Sequence, residues 1–293
     1  MQIGILIAFA GYFAFACGDA TLKALGDDLP IYEIGFFTSL FAILPALFTK
    51  RPEDNWRNVF VPNRPFLLSL RVLFGVVGML SAVLAFTTLP LAEAYALIFL
   101  LPIFVTVFAA IFLKETIGWR RWSAVVTGLA GVILVVRPGF QELVPGHFAA
   151  ISAAICGAGT VLVLRMIGPS ERRVTLIGSV LLGAVIFNGI LMVPTFADPM
   201  PFMGLLVFGG LCIGLGQTGL VFATRFAPAS YVAPVQYSQI VWAAVLGALF
   251  FGEFPDATAY AGMALIGASG LFTFIRERKM TRWWQRTPLI RNR

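Results

Sequence analysis

Long apolar stretches, separated by short joints that carry charges, prolines or glycines, run along nearly the whole chain. Most stretches contain about 20 residues, the length an α-helix needs to cross the hydrocarbon core of a bilayer. Lipid cannot hydrogen-bond to the backbone, so helices are the expected spanning elements. The pattern predicts an all-α polytopic membrane protein with ten transmembrane helices, near residues 3–23, 31–49, 66–88, 91–113, 119–136, 147–167, 174–194, 201–224, 229–251 and 257–275.

The second half of the chain repeats the first. Residues 90–115 align without a gap with residues 228–253, so that Pro90 falls on Pro228 and Glu115 on Glu253. The register extends over neighbouring segments, with the pairs Gly78 and Gly216, Val83 and Val221, Ala85 and Ala223, and, after one inserted residue, Gly128 and Gly267, and Gly131 and Gly270. This predicts a duplication, with one five-helix repeat in residues 1–139, a second in residues 145–279, and a basic tail in residues 280–293.

An odd number of spans in each repeat determines the symmetry. The second repeat must enter the membrane from the side opposite to the first, which gives an inverted-topology repeat with a pseudo-two-fold axis in the membrane plane. The two aligned helices, near residues 90–115 and 228–253, should then run antiparallel and meet near that axis.

Basic residues predict the orientation. All of the 21 Lys and Arg residues except Lys23 and Arg137 lie on the joints and the tail that share one side with both termini. By the positive-inside rule, both termini are expected in the cytoplasm, and the chain in the inner (plasma) membrane as a multi-pass protein. The net charge of +7 is then explained by topology, and no nucleic-acid partner is predicted.

Several motifs carry a family resemblance. They are Ala94-Tyr95-Ala96-Leu97-Ile98-Phe99-Leu100-Leu101-Pro102, Leu113-Lys114-Glu115, Gly128-x-x-Gly131, Phe251-Gly252-Glu253 and Gly267-x-x-Gly270. With the ten spans, this pattern resembles the drug/metabolite transporter superfamily, in particular its EamA-type ten-helix exporters and their aromatic and neutral amino-acid branch. The resemblance implies an exporter built from two inverted repeats. The two halves differ in one respect: where the first has Pro102, the second has Ile240, and its proline is Pro234.

Pro102 and Pro234 are candidates for helix breaks or hinges. A proline within a span removes one helical hydrogen bond and leaves a carbonyl free. Such a break can shape a central binding site. The alternative is an ordinary kink, which membrane helices tolerate.

Aromatic residues and a few polar ones in the inner spans form the candidate substrate site. Met79 aligns with Gln217, and Phe99 aligns with Tyr237. The lining without formal charge favours a compact, net-neutral solute with an apolar or aromatic side chain. The alternative is interior packing. The candidate residues are Tyr12, Met79, Tyr95, Phe99, Gln217, Tyr237, Ser238 and Trp242.

The ionisable residues have mostly structural interpretations. Asp19 and Lys23 are spaced i, i+4 and predict a local ion pair. Glu33 and Glu93 open helices, where a carboxylate suits the positive end of the dipole. Glu253 is expected to be structural, as is Glu115, and His147 to be a cap or interface residue. No site dedicated to proton coupling is predicted.

The glycines of the fifth and tenth spans favour close packing between helices, with a dimer face as the alternative. The chain is accordingly predicted to be a monomer or a homodimer.

Catalysis has little support in the sequence. There is one histidine, no metal-ligand spacing and no nucleotide-binding glycine motif, so no enzyme activity, cofactor or metal is predicted. We expect a secondary transporter that exports small neutral metabolites by alternating access, most often amino acids such as aromatic ones, methionine and threonine. Its partners would be that solute and membrane lipid. The alternatives are an exporter of other metabolites or drugs, and a non-transporting scaffold or lipid-modifying enzyme.

Overall fold

The computed structural model describes residues 2–50, 62–114, 119–137, 142–167, 171–227, 229–269 and 271. Over these residues the chain forms ten helical spans and no strand, which confirms the all-α polytopic fold. Glu115 and the tail 280–293 lie outside the described residues. The spans are α1 Gln2–Leu25, α2 Ile31–Ala46, α3 Pro65–Thr88, α4 Leu91–Phe112, α5 Trp119–Val136, α6 Pro145–Ile167, α7 Arg173–Met192, α8 Met203–Phe226, α9 (Ala229–Val232, Ala233–Tyr237 and Ser238–Phe251) and α10 Ala257–Ser269.

The helices have the lengths and composition of membrane spans. Seven are long and apolar enough to cross a bilayer, namely α1, α2 with its following 3-10 turn, α3, α4, α6, α7 and α8 with their flanking turns. The described parts of the other three hold shorter apolar segments, Val125–Val136, Val235–Phe251 and Ala257–Ser269.

Prolines mark where several helices begin. Pro65 and Pro145 are the first residues of α3 and α6, and Pro90 directly precedes α4. The first turn of a helix leaves its N–H groups without intrahelical acceptors, so a residue that lacks an N–H costs nothing there. The proline-rich joints in the sequence thus position the spans.

The helices pack as two equivalent sets. Helix α1 packs against α8, and the pair that the repeat alignment relates to it, α6 and α3, packs in the same way. Helix α2 contacts its own counterpart α7. With five helices in each half, these paired contacts form the inverted-repeat arrangement.

Helices α5 and α10 approach one another at two glycines. A Cβ atom at Gly131 would lie 2.8 Å from the carbonyl oxygen of Gly262, and one at Gly262 would lie 2.6 Å from that of Gly131. The two backbones therefore touch directly, as small residues allow in membrane helices. These two glycines pack against each other within one chain, which agrees with the prediction of close helix packing in spans five and ten.

The bundle has two ends, which we name by their connections. The hairpin end holds the connections α1–α2, α3–α4, α5–α6, α7–α8 and α9–α10. The terminal end holds the other four connections and the N-terminus. At the terminal end, the backbone N–H of Arg64 donates to the Glu171 carboxylate (2.7 Å), and Arg71 donates to the Leu176 carbonyl (3.3 Å), so both contacts join α3 to the region before and within α7.

The glycine contact gives a stability prediction. Gly131→Ala places a methyl group against the α10 backbone, and overpacking of this kind costs about 1–3 kcal/mol. We expect a lower thermal unfolding midpoint for the purified protein. Gly267→Ala on α10 is the matched control, since its Cβ would have no atom within 4 Å, and its midpoint should stay unchanged or rise. Equal midpoints for the two variants would contradict the backbone contact.

Candidate functional site

Helices α4 and α9 are broken at equivalent positions. In α4, a first segment ends at Ile98 and a second begins at Leu101. In α9, a 3-10 segment covers Ala233–Tyr237 and the α-helix resumes at Ser238. Tyr237 corresponds to Phe99 in the repeat alignment, so the two breaks coincide.

The prolines occupy different places around these breaks. Pro102 lies in the first turn of the second α4 segment, after the break. Pro234 lies in the first turn of the 3-10 segment, at the beginning of the break in α9. Each proline stands at a segment start, where its missing N–H is tolerated. The two halves thus use different residues to interrupt the helix at the same level.

The two breaks meet at a cluster of aromatic rings. Phe99 and Tyr237, equivalent residues of the two repeats, stack with ring centroids 5.3 Å apart and an interplanar angle of 25°. Tyr95 lies 6.2 Å from Phe99 and 5.2 Å from Phe86 of α3. We call these four residues the central aromatic cluster. The aligned helices of the two repeats therefore contact one another at their breaks.

Hydrogen bonds connect this cluster to a carboxylate. The Tyr95 hydroxyl donates to Asp19 of α1, and Gln239 of α9 donates from Nε2 to the Tyr95 oxygen over 3.3 Å. The three residues come from three helices, so the contact joins α1, α4 and α9. Asp19 lies six residues before the end of α1, which is about 9 Å along the helix. An ionisable group at this depth is a candidate functional residue.

The predicted ion pair between Asp19 and Lys23 is wrong. The Lys23 ammonium lies 2.8 Å from the Glu253 carboxylate and donates to the Leu89 carbonyl over 2.6 Å. The i, i+4 rule considers one helix only. At the hairpin end, the ends of α3 and α9 converge on α1, and the long lysine side chain reaches both, whereas the short Asp19 side chain meets Tyr95.

Glu253 holds its position because of the residue before it. Gly252 has φ of 65°, a left-handed conformation that ends α9. The chain then turns back, so that the Glu253 N–H donates to the Gly247 carbonyl and the Glu253 carboxylate accepts from the Leu91 N–H over 2.9 Å. Glu253 thus caps the first turn of α4 while pairing with Lys23, which agrees with its expected structural role.

Two predicted site residues on α9 have unpartnered polar atoms. The Ser238 Oγ and the Trp242 Nε1 are buried, and neither has a hydrogen-bond partner among the described residues. The Trp242 ring contacts Phe9 and Phe13 of α1, with centroids 5.4 and 4.7 Å away. Ser238, Gln239 and Trp242 lie within an arc of about 100° on the helix, so they share one face.

The structure does not bring the remaining predicted site residues into this cluster. Tyr12 is buried in a separate group with Ala223 of α8 and with Ala227, which directly follows α8. Met79 faces α2, where its Sδ accepts from the Ser39 hydroxyl over 3.3 Å. Gln217 is half-buried on α8 and takes no part in the bonds around Tyr95. The alignment of Met79 with Gln217 in the sequence does not identify side chains that face one another.

A cavity of about 390 Å³ lies at the hairpin end, between α4, α5, α9 and α10. Further polar contacts surround it. The cavity is lined by Glu93, Arg137, Glu253 and Asp256 among apolar residues. The Arg137 guanidinium, together with the N–H of Ala259 at the start of α10, lowers the pKa of Asp256 to about 2. At physiological pH this exposed carboxylate is ionised and paired.

His147 contacts one wall of the same region. Its Nδ1 lies 3.0 Å from the Val144 N–H and its Nε2 lies 3.0 Å from Glu93. If Nδ1 accepts, the proton is on Nε2, which then donates to the Glu93 carboxylate. His147 therefore joins the beginnings of α6 and α4, in keeping with its expected role as a cap and interface residue.

Two residues of the central site, Asp19 and Gln239, are not among the site residues predicted from the sequence. Asp19 is the one carboxylate within the first span, and that alone marks it as a candidate, but its lysine neighbour offered a simpler explanation. Gln239 directly follows the predicted Ser238. The sequence alone does not show that Gln239, and not Gln217, points toward Tyr95.

Comparisons with known proteins agree with this architecture. The EamA-like transporter family matches the chain twice, over residues 2–137 and 144–275. An S-adenosylmethionine uptake transporter of Rickettsia felis is 27% identical over 277 residues, covering 90% of both chains. A pseudopaline exporter, CntI, of Pseudomonas aeruginosa is 28% identical over 270 residues, covering 91% of this chain and 94% of its own.

A crystal structure shares the fold at 16% sequence identity. Its TM-score is 0.65, over 96% of this chain and 99% of that one. The likeness over essentially the full length of both chains concerns the fold alone.

The Lys23–Glu253 pair gives a second prediction. Both side chains are largely shielded, with 14% and 20% of their surfaces exposed. In a double-mutant cycle with Lys23→Met and Glu253→Gln, we expect a coupling of about 0.5–3 kcal/mol in unfolding free energy. The cycle Arg137→Met and Asp256→Asn is the control, because exposed pairs contribute little. Additive effects at Lys23 and Glu253 would show that the pair does not hold the hairpin end together.

Proposed function

The chain belongs to the EamA-like transporter family, and from this premise we propose that it is a secondary transporter that exports small amino-acid-type solutes. Transport proteins carry solutes across the membrane without converting them, so membership of this family makes the chain a transporter. The solute class, the direction and the mechanism are our proposal.

The central aromatic cluster carries the proposal. Phe99 and Tyr237 stack where the breaks in α4 and α9 meet, and transporters built from inverted repeats bind their solutes at such interrupted helices. Aromatic rings with a few polar groups suit a compact solute that has an apolar or aromatic side chain. The unpartnered Ser238 hydroxyl and Trp242 indole supply hydrogen-bonding capacity on the same face of α9.

Alternating access fits the distribution of contacts. The hairpin end is tied by the contacts of Lys23 and Glu253, of Glu93 and His147, and of Glu33, whose carboxylate accepts from the N–H of Ala197 over 3.0 Å. This corresponds to a state closed at the hairpin end. The interrupted α4 and α9 supply the hinges, with Pro102 and Pro234 at segment starts. Breaking the ties while the terminal end closes would expose the site to the other side.

The similar proteins support a small solute and leave its direction open. One is named for S-adenosylmethionine uptake and another for pseudopaline export. S-adenosylmethionine contains an amino-acid moiety, which agrees with an amino-acid-type solute. A secondary transporter that is not coupled to an ion gradient moves its solute down the solute's own gradient. Export is therefore the expected direction in cells that accumulate the solute.

We place both termini in the cytoplasm, in the inner (plasma) membrane, because the basic residues gather at the terminal end. Lys23 and Arg137, at the hairpin end, are bound to Glu253 and Asp256. The two exceptions to the positive-inside pattern thus have acidic partners. The hairpin end then faces outwards.

Topology can be tested by cysteine labelling. In a background without Cys17, Cys156 and Cys212, thiols introduced near Asp28 and Asp198 should react with an impermeant reagent added to intact cells. Thiols near Arg57 and Arg172 should react only after permeabilisation. The reverse pattern would overturn the orientation, and a mixed pattern would overturn the count of ten spans.

Transport can be tested by efflux from cells loaded with radiolabelled phenylalanine, methionine or threonine. Expression should accelerate efflux, and Tyr237→Ala or Phe99→Ala should reduce the initial rate about tenfold or more, because loss of well-packed rings weakens solute contacts by 1.4 kcal/mol or more. Tyr260→Ala on α10 removes an exposed ring away from the cluster and should leave the rate unchanged. Gln217→Ala should have less effect than Tyr237→Ala.

Loss of function through misfolding is excluded by comparing membrane expression and the unfolding midpoint of each variant. If wild-type protein in liposomes carries sugars or organic cations and no neutral amino acid, the proposed solute class is wrong.

A further inference from the structure

In the part of the chain that the structure describes, the carboxylate of Asp19 has no cationic partner. Among the described residues, no Lys, Arg or His forms an ion pair with it, and its bond comes from the neutral Tyr95 hydroxyl. Lys23, one turn further along α1, is engaged by Glu253 and the Leu89 carbonyl. A charge in a membrane span is costly unless it is paired or serves a function.

The surroundings of Asp19 suit an organic cation. Tyr95 brings its hydroxyl to Asp19 and its ring to the central aromatic cluster, where Phe99 and Tyr237 stack. A carboxylate beside aromatic rings is the chemistry that binds ammonium groups, by a charge-assisted hydrogen bond and by cation–π attraction. Gln239 fixes the tyrosine oxygen from the opposite helix.

A second, independent observation concerns unpartnered polar groups on α9. The buried Ser238 Oγ and Trp242 Nε1 lack partners among the described residues. Both groups can donate hydrogen bonds, and both lie on the face of α9 that carries Gln239. Donors of this kind complement the carboxylate of a zwitterionic solute, as Asp19 complements its ammonium group.

We propose that Asp19, positioned by Tyr95 and Gln239, binds the positively charged amino group of the transported solute. This inference rests on the proposed transport function and names the part of the solute that is recognised. It differs from the expectation of a lining without formal charge: the solute is net neutral, and its ammonium group meets a carboxylate.

The experiment uses purified full-length protein and three matched probes. Tryptophan carries an amine and a carboxylate, tryptamine keeps the amine, and indole-3-propionate keeps the carboxylate. Binding is measured by isothermal titration calorimetry, and transport by flux into liposomes. Asp19→Asn should weaken binding of tryptophan and tryptamine about tenfold or more, the scale of one charge-assisted hydrogen bond. Binding of indole-3-propionate should be unchanged or stronger.

Two further variants control for folding and for charge. Asp28→Asn, in the exposed α1–α2 connection, makes the same charge change and should alter no affinity. Tyr95→Phe keeps the ring and removes the hydroxyl that positions Asp19, so the affinity for the two amines should fall by a smaller factor. If the Asp19→Asn variant does not fold, Tyr95→Phe still tests whether the affinity for the two amines falls while that for indole-3-propionate does not.

The outcomes separate this inference from the proposed function. If wild-type protein carries no amino acid but binds tryptamine or S-adenosylmethionine in a manner that depends on Asp19, the amino-acid proposal fails and the Asp19 assignment stands. Equal losses for all three probes in both the Asp19 and Tyr95 variants, or no loss for any of them, would overturn the assignment. So would the absence of binding of every ammonium or sulfonium probe to wild-type protein.

Discussion

Hydrocarbon offers no hydrogen bonds, and this constraint governs the arrangement of the whole bundle. At three places where a backbone group is near a helix end, a side chain from elsewhere in the chain pairs with it. The N–H of Leu91, at the start of α4, is capped by Glu253 from the end of α9. The carbonyl of Leu89 receives the Lys23 ammonium. The carbonyl of Pro45, within α2, receives the Thr218 hydroxyl from α8 over 2.9 Å. Such pairings join helices that are far apart in the sequence.

The duplication has preserved backbone geometry more faithfully than side chains. Helix α9 ends in a left-handed glycine, Gly252, and the equivalent Lys114 at the end of α4 is also left-handed, with φ of 52°. Lysine adopts this conformation less readily than glycine. The prolines beside the two breaks have likewise shifted, while the breaks coincide. Both repeats thus reach the same helix ends by different sequences.

The sequence predicted the features that depend on periodicity and composition. The spans, their joints and the meeting of Phe99 with Tyr237 follow from hydrophobic length and repeat register. The polar contacts could not be predicted in the same way, because they join helices that are far apart in the chain. Lys23 has an acidic residue one turn away, yet it pairs with Glu253. The same spacing assigned Asp19 to an ion pair with Lys23, so its contact with Tyr95 was not predicted. Gln217 and Gln239 are both amides in apolar spans, and which of them reaches Tyr95 depends on the rotation of each helix.

The stack of Phe99 on Tyr237 has a particular consequence, because it joins two equivalent residues. In an inverted repeat, exchanging the conformations of the two halves converts a state open on one side into a state open on the other. A contact between equivalent residues is mapped onto itself by that exchange, so it can persist throughout the cycle. The bond between Lys23 and Glu253 is mapped onto a different pair of positions, so under the proposed alternating access it would have to be broken and replaced. The contacts would then divide into one class that joins equivalent residues and persists, and one class that belongs to a single state. The fixed stack would act as the fulcrum about which the rest of the bundle exchanges its contacts.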